Sequence, residues 1–465
     1  MSILVLGAGV IGLTTAYYLQ QAGHHVTVVD RHPQVASETS YANGAQLSYS
    51  YVAPLAGPGV LTKLPGWFID ADAPMRFRPT FDKDLWRWCQ RFVMACNHTQ
   101  NRRATRQMLT LSFLSRSLMR ELVAAEPSLA FDYTRSGKLV LHRSAAAFSE
   151  AQKLLSFQRT LGCEQQALDA LACIQLEPAL GHVRNDIAGG IYTESDDTAD
   201  CHLFCVGLER LLRDSGVVFL LDSPIATLNK DNNGMVCALT ADGRRLAAKQ
   251  IVVAMGSDSA ALLKSVGVQV PLYPLKGYSL TVSTTSRHRV QTHGDPDSKS
   301  RSDRDRDGRS DGSRDGRSDG GSESSRQATG AANITAPTIS VTDFARKVVY
   351  ARLGNRLRIA GMADLGRPSL ILEKDRLATL RREAEALFPD AGDYDDAVPW
   401  AGLRPATPTG LPIIGRTAFP NLWVNIGQGA LGFTLATGSA KLLSDRLSGA
   451  PSLIDATPFH PQARR

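Results

Sequence analysis

Gly7, Gly9 and Gly12 have the spacing of a turn that lets bare backbone approach a pyrophosphate. In a Gly-x-Gly-x-x-Gly run the first glycine permits the tight turn, the second the close approach, and the third the packing of a helix on a strand. The flanking residues supply the rest of the unit. Ile3-Leu4-Val5-Leu6 reads as a buried parallel strand, and an apolar-periodic helix runs through Leu13, Ala16, Tyr17 and Leu19 to Gly23. His25–Val29 reads as a second strand, and Asp30 at its carboxyl end suits the hydroxyls of an adenosine ribose and repels a 2′-phosphate. The helix start adds N–H groups and partial positive charge for the phosphates. These residues alone leave NAD and FAD both open.

A second glycine turn, Gly427-x-Gly429-x-x-Gly432, follows the strand Leu422–Ile426 and opens a terminal helix through Phe433-Thr434. A long dinucleotide stretched from one turn to the other suits FAD, with the flavin at the second turn. A helix N-terminus there would stabilise negative charge on the reduced ring.

The elements that must position these turns need more than one core, because 465 residues exceed what one simple core serves. Apolar residues make up 43% and charged residues 21%, the balance of a globular protein, and no apolar run approaches the roughly 18–20 residues of a membrane span. The first strand leaves no room for a signal peptide. Seven cysteines without a CxxC pair point to reduced thiols in a cytosolic compartment. Cys201 and Cys205 lack a second ligand pair, and the ten histidines show no ligand spacing, so no metal is expected. The net charge of +7 is a weak signal for nucleic acid and compatible with an anionic membrane face.

Between Ala53 and Gly66, breaks at Pro54, Gly57, Pro58, Gly59 and Pro65 predict a long packed loop, with a lid or membrane-touching patch as the functional readings. Leu85–Glu126 reads as helical, with Leu109, Phe113, Leu114, Leu118 and Leu122 facing the core. Lys138–His142 and Gly190–Tyr192 read as strands. The acidic run Asp196–Asp200 reads as N-cap and dipole partners of the helix His202–Arg213 rather than as a metal site. Val217–Leu221 and Gln250–Ala254, leading into Met255-Gly256, extend the βαβ pattern. From about Ser286 to Ala336 the composition turns to Ser, Arg, Asp and Gly, and Arg-Asp-Gly-Arg-Ser-Asp-Gly occurs at Arg306–Gly312 and Arg314–Gly320. That composition predicts a disordered surface insertion, and its cancelling charges argue against a nucleic-acid arm.

Several strings together carry a resemblance: Gly7–Gly12; Glu38-Thr39-Ser40-x-Ala42-Asn43; Tyr51-Val52-Ala53-Pro54 with Pro58-Gly59; Tyr273 to Thr281; Gly402-Leu403-Arg404-Pro405 with Thr407-Pro408; and Asn421-Leu422-Trp423 running into Gly427–Gly432. The chain resembles the bacterial FAD-dependent D-amino acid dehydrogenases of the small-subunit type, within the D-amino acid oxidase and glycine oxidase superfamily. The resemblance implies an α/β fold with an α+β substrate domain. A Rossmann-type FAD domain would be assembled from residues 1–47, 194–262 and 396–448. A mixed-sheet substrate domain would come from 48–193 and 263–395, with 286–336 inserted in it.

It also implies oxidative deamination of small D-amino acids such as D-alanine to 2-oxo acids and ammonia. Hydride would pass to the flavin and electrons on to a quinone or respiratory-chain acceptor. The location implied is cytoplasmic, with peripheral contact at the inner face of the cytoplasmic membrane. Such chemistry needs positioning more than acid–base groups. Arg404 matches the superfamily's carboxylate-binding arginine, whose guanidinium fork suits a carboxylate. Tyr278 and Tyr51 are further candidates for the substrate pocket, and Lys276 is either structural or near the flavin. The cofactor path implied is Leu6, Gly7, Ala8, Gly9, Val10, Ile11, Gly12, Asp30, Arg31, Ser40, Asn43, Gly44, Gln46, Gly256, Gly427, Gly429, Gly432 and Thr434. Gln428 departs from the family's usual His. The alternatives are a related oxygen-using oxidase, a D-proline or hydroxy-D-proline dehydrogenase, an RNA-modifying flavoprotein and a non-catalytic NAD-binding module.

Overall fold

The structure is a computed structural model, which describes residues 1–70, 72–285 and 336–463. The predicted insertion at 286–336 therefore lies, all but its last residue, outside the described residues.

Short β-branched runs bounded by turns build a six-stranded sheet in the order Ile413–Arg416, Leu422–Ile426, Gln250–Val253, Ser2–Leu6, His25–Val29, Val218–Leu220. Neighbouring strands are parallel except the first pair. Helices Val10–Gln21, Cys201–Asp214 and Gly432–Ser448 cover one face, where Leu13, Phe204, Leu208 and Leu435 join one core. The terminal helix lies against the first one, which brings the two ends of the chain together.

A nine-stranded mixed sheet runs in the order Val398–Ala406, Tyr273–Ser283, Arg356–Leu365, Val348–Leu353, Ser340–Asp343, Lys138–His142, Gly189–Thr193, Gln166–Leu168, with Met75–Phe77 beside Arg356–Leu365. Helix Lys374–Leu387 packs on one face over Tyr278, Leu280 and Ile359. Helix Lys83–Ala95 packs on the other through Leu85, Trp88 and Phe92 against Tyr273 and Leu275. A two-residue ribbon, Gln46–Leu47 with Asp197–Thr198, lies where the chain passes between the sheets.

Four sequence expectations change. Strand Val398–Ala406, assigned with residues 396–448 to the Rossmann unit, is hydrogen-bonded into the nine-stranded sheet. The helical stretch expected over Leu85–Glu126 is divided into two helices, Lys83–Ala95 and His98–Ala125, where Cys96 closes the first and Asn97 caps the second by accepting from Gln100 N–H. The loop expected through Gly66 already coils into a 3-10 turn at Leu61–Lys63 and a short helix at Leu64–Ile69. Within the acidic run only Asp200 caps the helix Cys201–Asp214; Asp196 and Asp197 point elsewhere.

Candidate active site

The first glycine turn is built as its spacing requires. Gly7 sits at φ +110°, and a Cβ on Gly12 would run into the Gly7 carbonyl. Gly9 caps the helix with no side chain of its own, which keeps the approach open. Asp30 accepts from Ala8 N–H at 2.7 Å and His32 N–H at 2.9 Å, so its carboxylate is fixed at the end of the strand. Ser40 Oγ accepts from Val10 N–H at 3.0 Å, folding the segment after the second strand back over the helix start.

These residues line one groove, open to solvent, that encloses about 950 Å³ of empty space with its open mouth included. Its walls include Gly7, Gly9, Val10, Ile11, Asp30, Arg31, Ser40 and Gly256 from the amino-terminal side, and Gly429 and Gly432 from the carboxyl-terminal turn. Arg31 pairs with Asp258 at 2.7 Å and with Glu38, both also on the wall. One elongated ligand in this groove would touch both glycine turns, as FAD requires.

The other predicted cofactor residues stand beside or beyond the groove. Leu6 is core, and Gly12 and Ala8 shape the turn from behind. Gly427 takes φ +83° and enters the second turn. Asn43, Gly44, Gln46 and Thr434 lie at the seam between the sheets. Asn43 O accepts from Arg358, Gly44 abuts Val349, and Gln46 Nε2 donates to Ser340 Oγ. Thr434 Oγ1 accepts from Ser48 N–H at 3.1 Å. Gln428 also lines the groove; its amide donates to Asn425 at 2.7 Å, and Asn425 donates to Thr15 at 3.0 Å, tying the second turn to the first helix.

Arg404 lies on Val398–Ala406, directly over Gly277, where any Cβ would collide with the guanidinium. Nη1 donates to Met362 O at 3.1 Å, and among the described residues no carboxylate lies within 4 Å of the group. Burial alone pushes its pKa down. Thr39 and Ser257 both donate to Leu403 O, at 2.8 and 3.1 Å, which fastens the strand before Arg404 to the Rossmann unit. Thr39 lies within a string already matched to the family; Ser257 follows Gly256 but gave no signal of its own.

Tyr278 requires a correction. It pairs with Ala401 while Leu275 pairs with Arg404, and side chains alternate along a strand, so Tyr278 and Arg404 occupy opposite faces of the sheet. The Tyr278 hydroxyl donates to Asp364 at 2.8 Å, inside a network that also holds Arg76, Arg376 and Glu373. Lys276 shares that face, 3.7 Å from Glu373. Tyr51 lies at the seam, its ring 4.5 Å from Lys138 Nζ, and burial pushes its hydroxyl up to about 12. Lys138 and Asp196 were missed: a lysine opening a short strand and an aspartate ahead of a helix carry no local sign of full burial.

Comparison with known proteins gives the family and the fold. The FAD dependent oxidoreductase family model matches residues 2–316 and 323–446. The chain is 45% identical to D-amino acid dehydrogenase 2 of Ralstonia nicotianae, over 99% of each chain. It is 40% identical to D-amino acid dehydrogenase 2 of Pseudomonas aeruginosa, over 99% of this chain and 98% of that one. The fold is shared with glycine oxidase from Geobacillus kaustophilus, at TM-score 0.71 and 18% identity over 100% of this chain and 98% of that one. It is shared also with L-proline dehydrogenase from P. horikoshii, at TM-score 0.69 and 13% identity over 99% of this chain and 96% of that one. The chain belongs to the FAD dependent oxidoreductase family.

Proposed function

We propose that the protein oxidises small D-amino acids to 2-oxo acids and ammonia, with Arg404 receiving the substrate carboxylate. The observation that carries this is a guanidinium held over Gly277 with no carboxylate beside it among the described residues. A partly buried cation without a counter-charge is costly unless a ligand supplies one, and a carboxylate fits its fork bidentately. FAD, when bound, accepts hydride. Its phosphates fit the Gly7–Gly12 turn and its ribose Asp30, while Gly429, Gly432 and the start of the last helix fit its other end.

The protein's own work is orientation. Arg404 anchors the acid group, the absence of a side chain on Gly277 makes room for the fork, and Thr39 and Ser257 hold that strand in register with the cofactor groove. The imino acid product needs only water to hydrolyse. Tyr51, at the same seam, is the remaining aromatic candidate for the pocket wall.

The acceptor in this reading is a quinone or other respiratory carrier, met at an anionic membrane face. Among the described residues no helix is long and apolar enough to cross a membrane. Helix Lys83–Ala95 exposes Trp86, Val93 and Met94 together with Arg87 and Arg91, which suits peripheral contact. The test is a panel of D- and L-amino acids added without oxygen, following bleaching of the flavin, then reoxidation by oxygen or by a quinone. Bleaching by D-alanine and reoxidation by the quinone are expected. A flavin left oxidised by every D-amino acid overturns the reading, and fast peroxide formation makes the enzyme an oxidase.

A further inference from the structure

The segment Ser48–Tyr51, just past the ribbon strand Gln46–Leu47, is gripped from three sides. Ser48 N–H donates to Thr434 Oγ1, in the first turn of the helix that opens on the second glycine turn. Ser48 Oγ accepts from Lys138 Nζ at 2.7 Å, and that ammonium also lies 4.5 Å from the Tyr51 ring centre. Tyr49 and Ser50 N–H donate to one carboxylate oxygen of Asp196, at 2.9 and 3.3 Å. Lys138 is 2% exposed and Asp196 1%.

We propose that Lys138 and Asp196 are positioning residues for the flavin end of the site: the two buried charges clamp Ser48–Tyr51 against the last helix, and the ammonium supplies the positive charge felt there. The proposal rests on FAD lying between the two glycine turns.

A purely structural role explains this arrangement poorly. Among the described residues, Lys138 spends one of its three N–H donors on Ser48, and Asp196 Oδ2 receives no hydrogen bond. The pair is too far apart for a direct salt bridge, yet each is the other's main opposing charge. Burying ions without direct contact is expensive, and a neutral side chain could have held Ser48 at lower cost. Ser48 links the ammonium to Thr434 through two successive hydrogen bonds, so its charge stands behind the helix start that would face the flavin. A positive charge there favours the reduced coenzyme.

The pair also titrates. Burial pushes Lys138 below the usual ammonium range and Asp196 above the usual carboxylate range, each opposed by the other's charge. Asp197 faces Asp196 but is held by Tyr133 at 2.8 Å and Arg120 at 3.4 Å. Burial pushes the Tyr49, Tyr51 and Cys163 groups up, so they stay neutral while the pair ionises. Both charges are therefore present around neutrality; the carboxylate is lost in acid and the ammonium in alkali.

The test is the reduction potential of the bound flavin, measured against reference dyes with no amino acid present, from mildly acid to mildly alkaline pH. In the unaltered holoenzyme the potential should fall by an extra step as Lys138 deprotonates. Lys138→Met should lower the potential at neutral pH and abolish that step, and Asp196→Asn should abolish the acid-side step. Ser48→Ala, the mildest change, should move the Lys138 step to lower pH, because the ammonium loses its acceptor. Lys153→Met, an exposed lysine on a surface helix, should superimpose on the unaltered protein. If Lys138→Met does not fold, Ser48→Ala decides. Potentials in Ser48→Ala and Lys138→Met that track the unaltered enzyme at every pH overturn the inference. A flavin that D-amino acids never bleach defeats the proposed function instead and leaves this measurement standing.

Discussion

Two arginine sites lie on opposite faces of the nine-stranded sheet and are built to opposite rules. On the face under helix Lys374–Leu387, Arg76 donates to Asp364, Glu373 and Asp375, all at 2.8 Å, and Arg376 reaches Asp364 at 3.0 Å. Charge there is matched by charge within the chain. On the face toward the Rossmann unit, Arg404 has a backbone carbonyl and, among the described residues, no carboxylate. The first arginines are neutralised by their own fold, whereas Arg404, in the proposed reading, is left for its ligand to neutralise. The contrast distinguishes the two where residue type and burial alone do not.

The comparison can be broken most forcefully at Arg404. Arg404→Leu should lower kcat/KM for D-alanine by roughly a thousandfold, in the range for losing one partner of a buried charge pair, while Tm stays within a few degrees. Asp364→Asn on the other face should do the reverse. It removes the buried carboxylate that Arg76 and Arg376 share and should cost about 3 kcal/mol by denaturant unfolding, with KM unchanged in the folded fraction. Tyr278→Phe removes one hydroxyl from that network and should cost about 1 kcal/mol, again without effect on KM. A raised KM in that variant would return Tyr278 to the pocket.

The smallest effect belongs to Asp375, whose side chain is 56% exposed. Asp375→Asn should cost less than about 0.5 kcal/mol, since solvent screens such a pair. Burial tends to raise the Asp375 carboxyl, but its hydrogen bond to Arg76 holds it below the usual range. Its contribution is therefore complete above the ordinary carboxylate pKa and lost as pH falls through the lower folded value. The stability difference between Asp375→Asn and the unaltered protein should vanish over that acid window.

How far the sequence could be read depended on how local each feature is. The first glycine turn was fully legible, because strand, turn, helix and Asp30 lie within thirty residues and each constrains its neighbours. Strands His25–Val29 and Leu422–Ile426 came out with their observed bounds for the same reason. Arg404 came from the family resemblance; nothing adjacent to it marks a missing counter-charge. Tyr278 was misplaced because its face relative to Arg404 depends on the register between strands more than a hundred residues apart. Asp196 reads in the sequence as part of a helix cap, but the cap is Asp200, four residues on. Lys138 read as an ordinary strand residue, since its burial is set by the seam between two sheets.

The central claim is most directly tested by titrating the oxygen-free holoenzyme with D-alanine, in the unaltered protein and in Arg404→Leu, and following flavin absorbance. The account predicts saturable bleaching in the first and, in the second, an intact flavin whose bleaching no longer saturates. An equal apparent affinity for D-alanine in both would show that some other group grips the carboxylate.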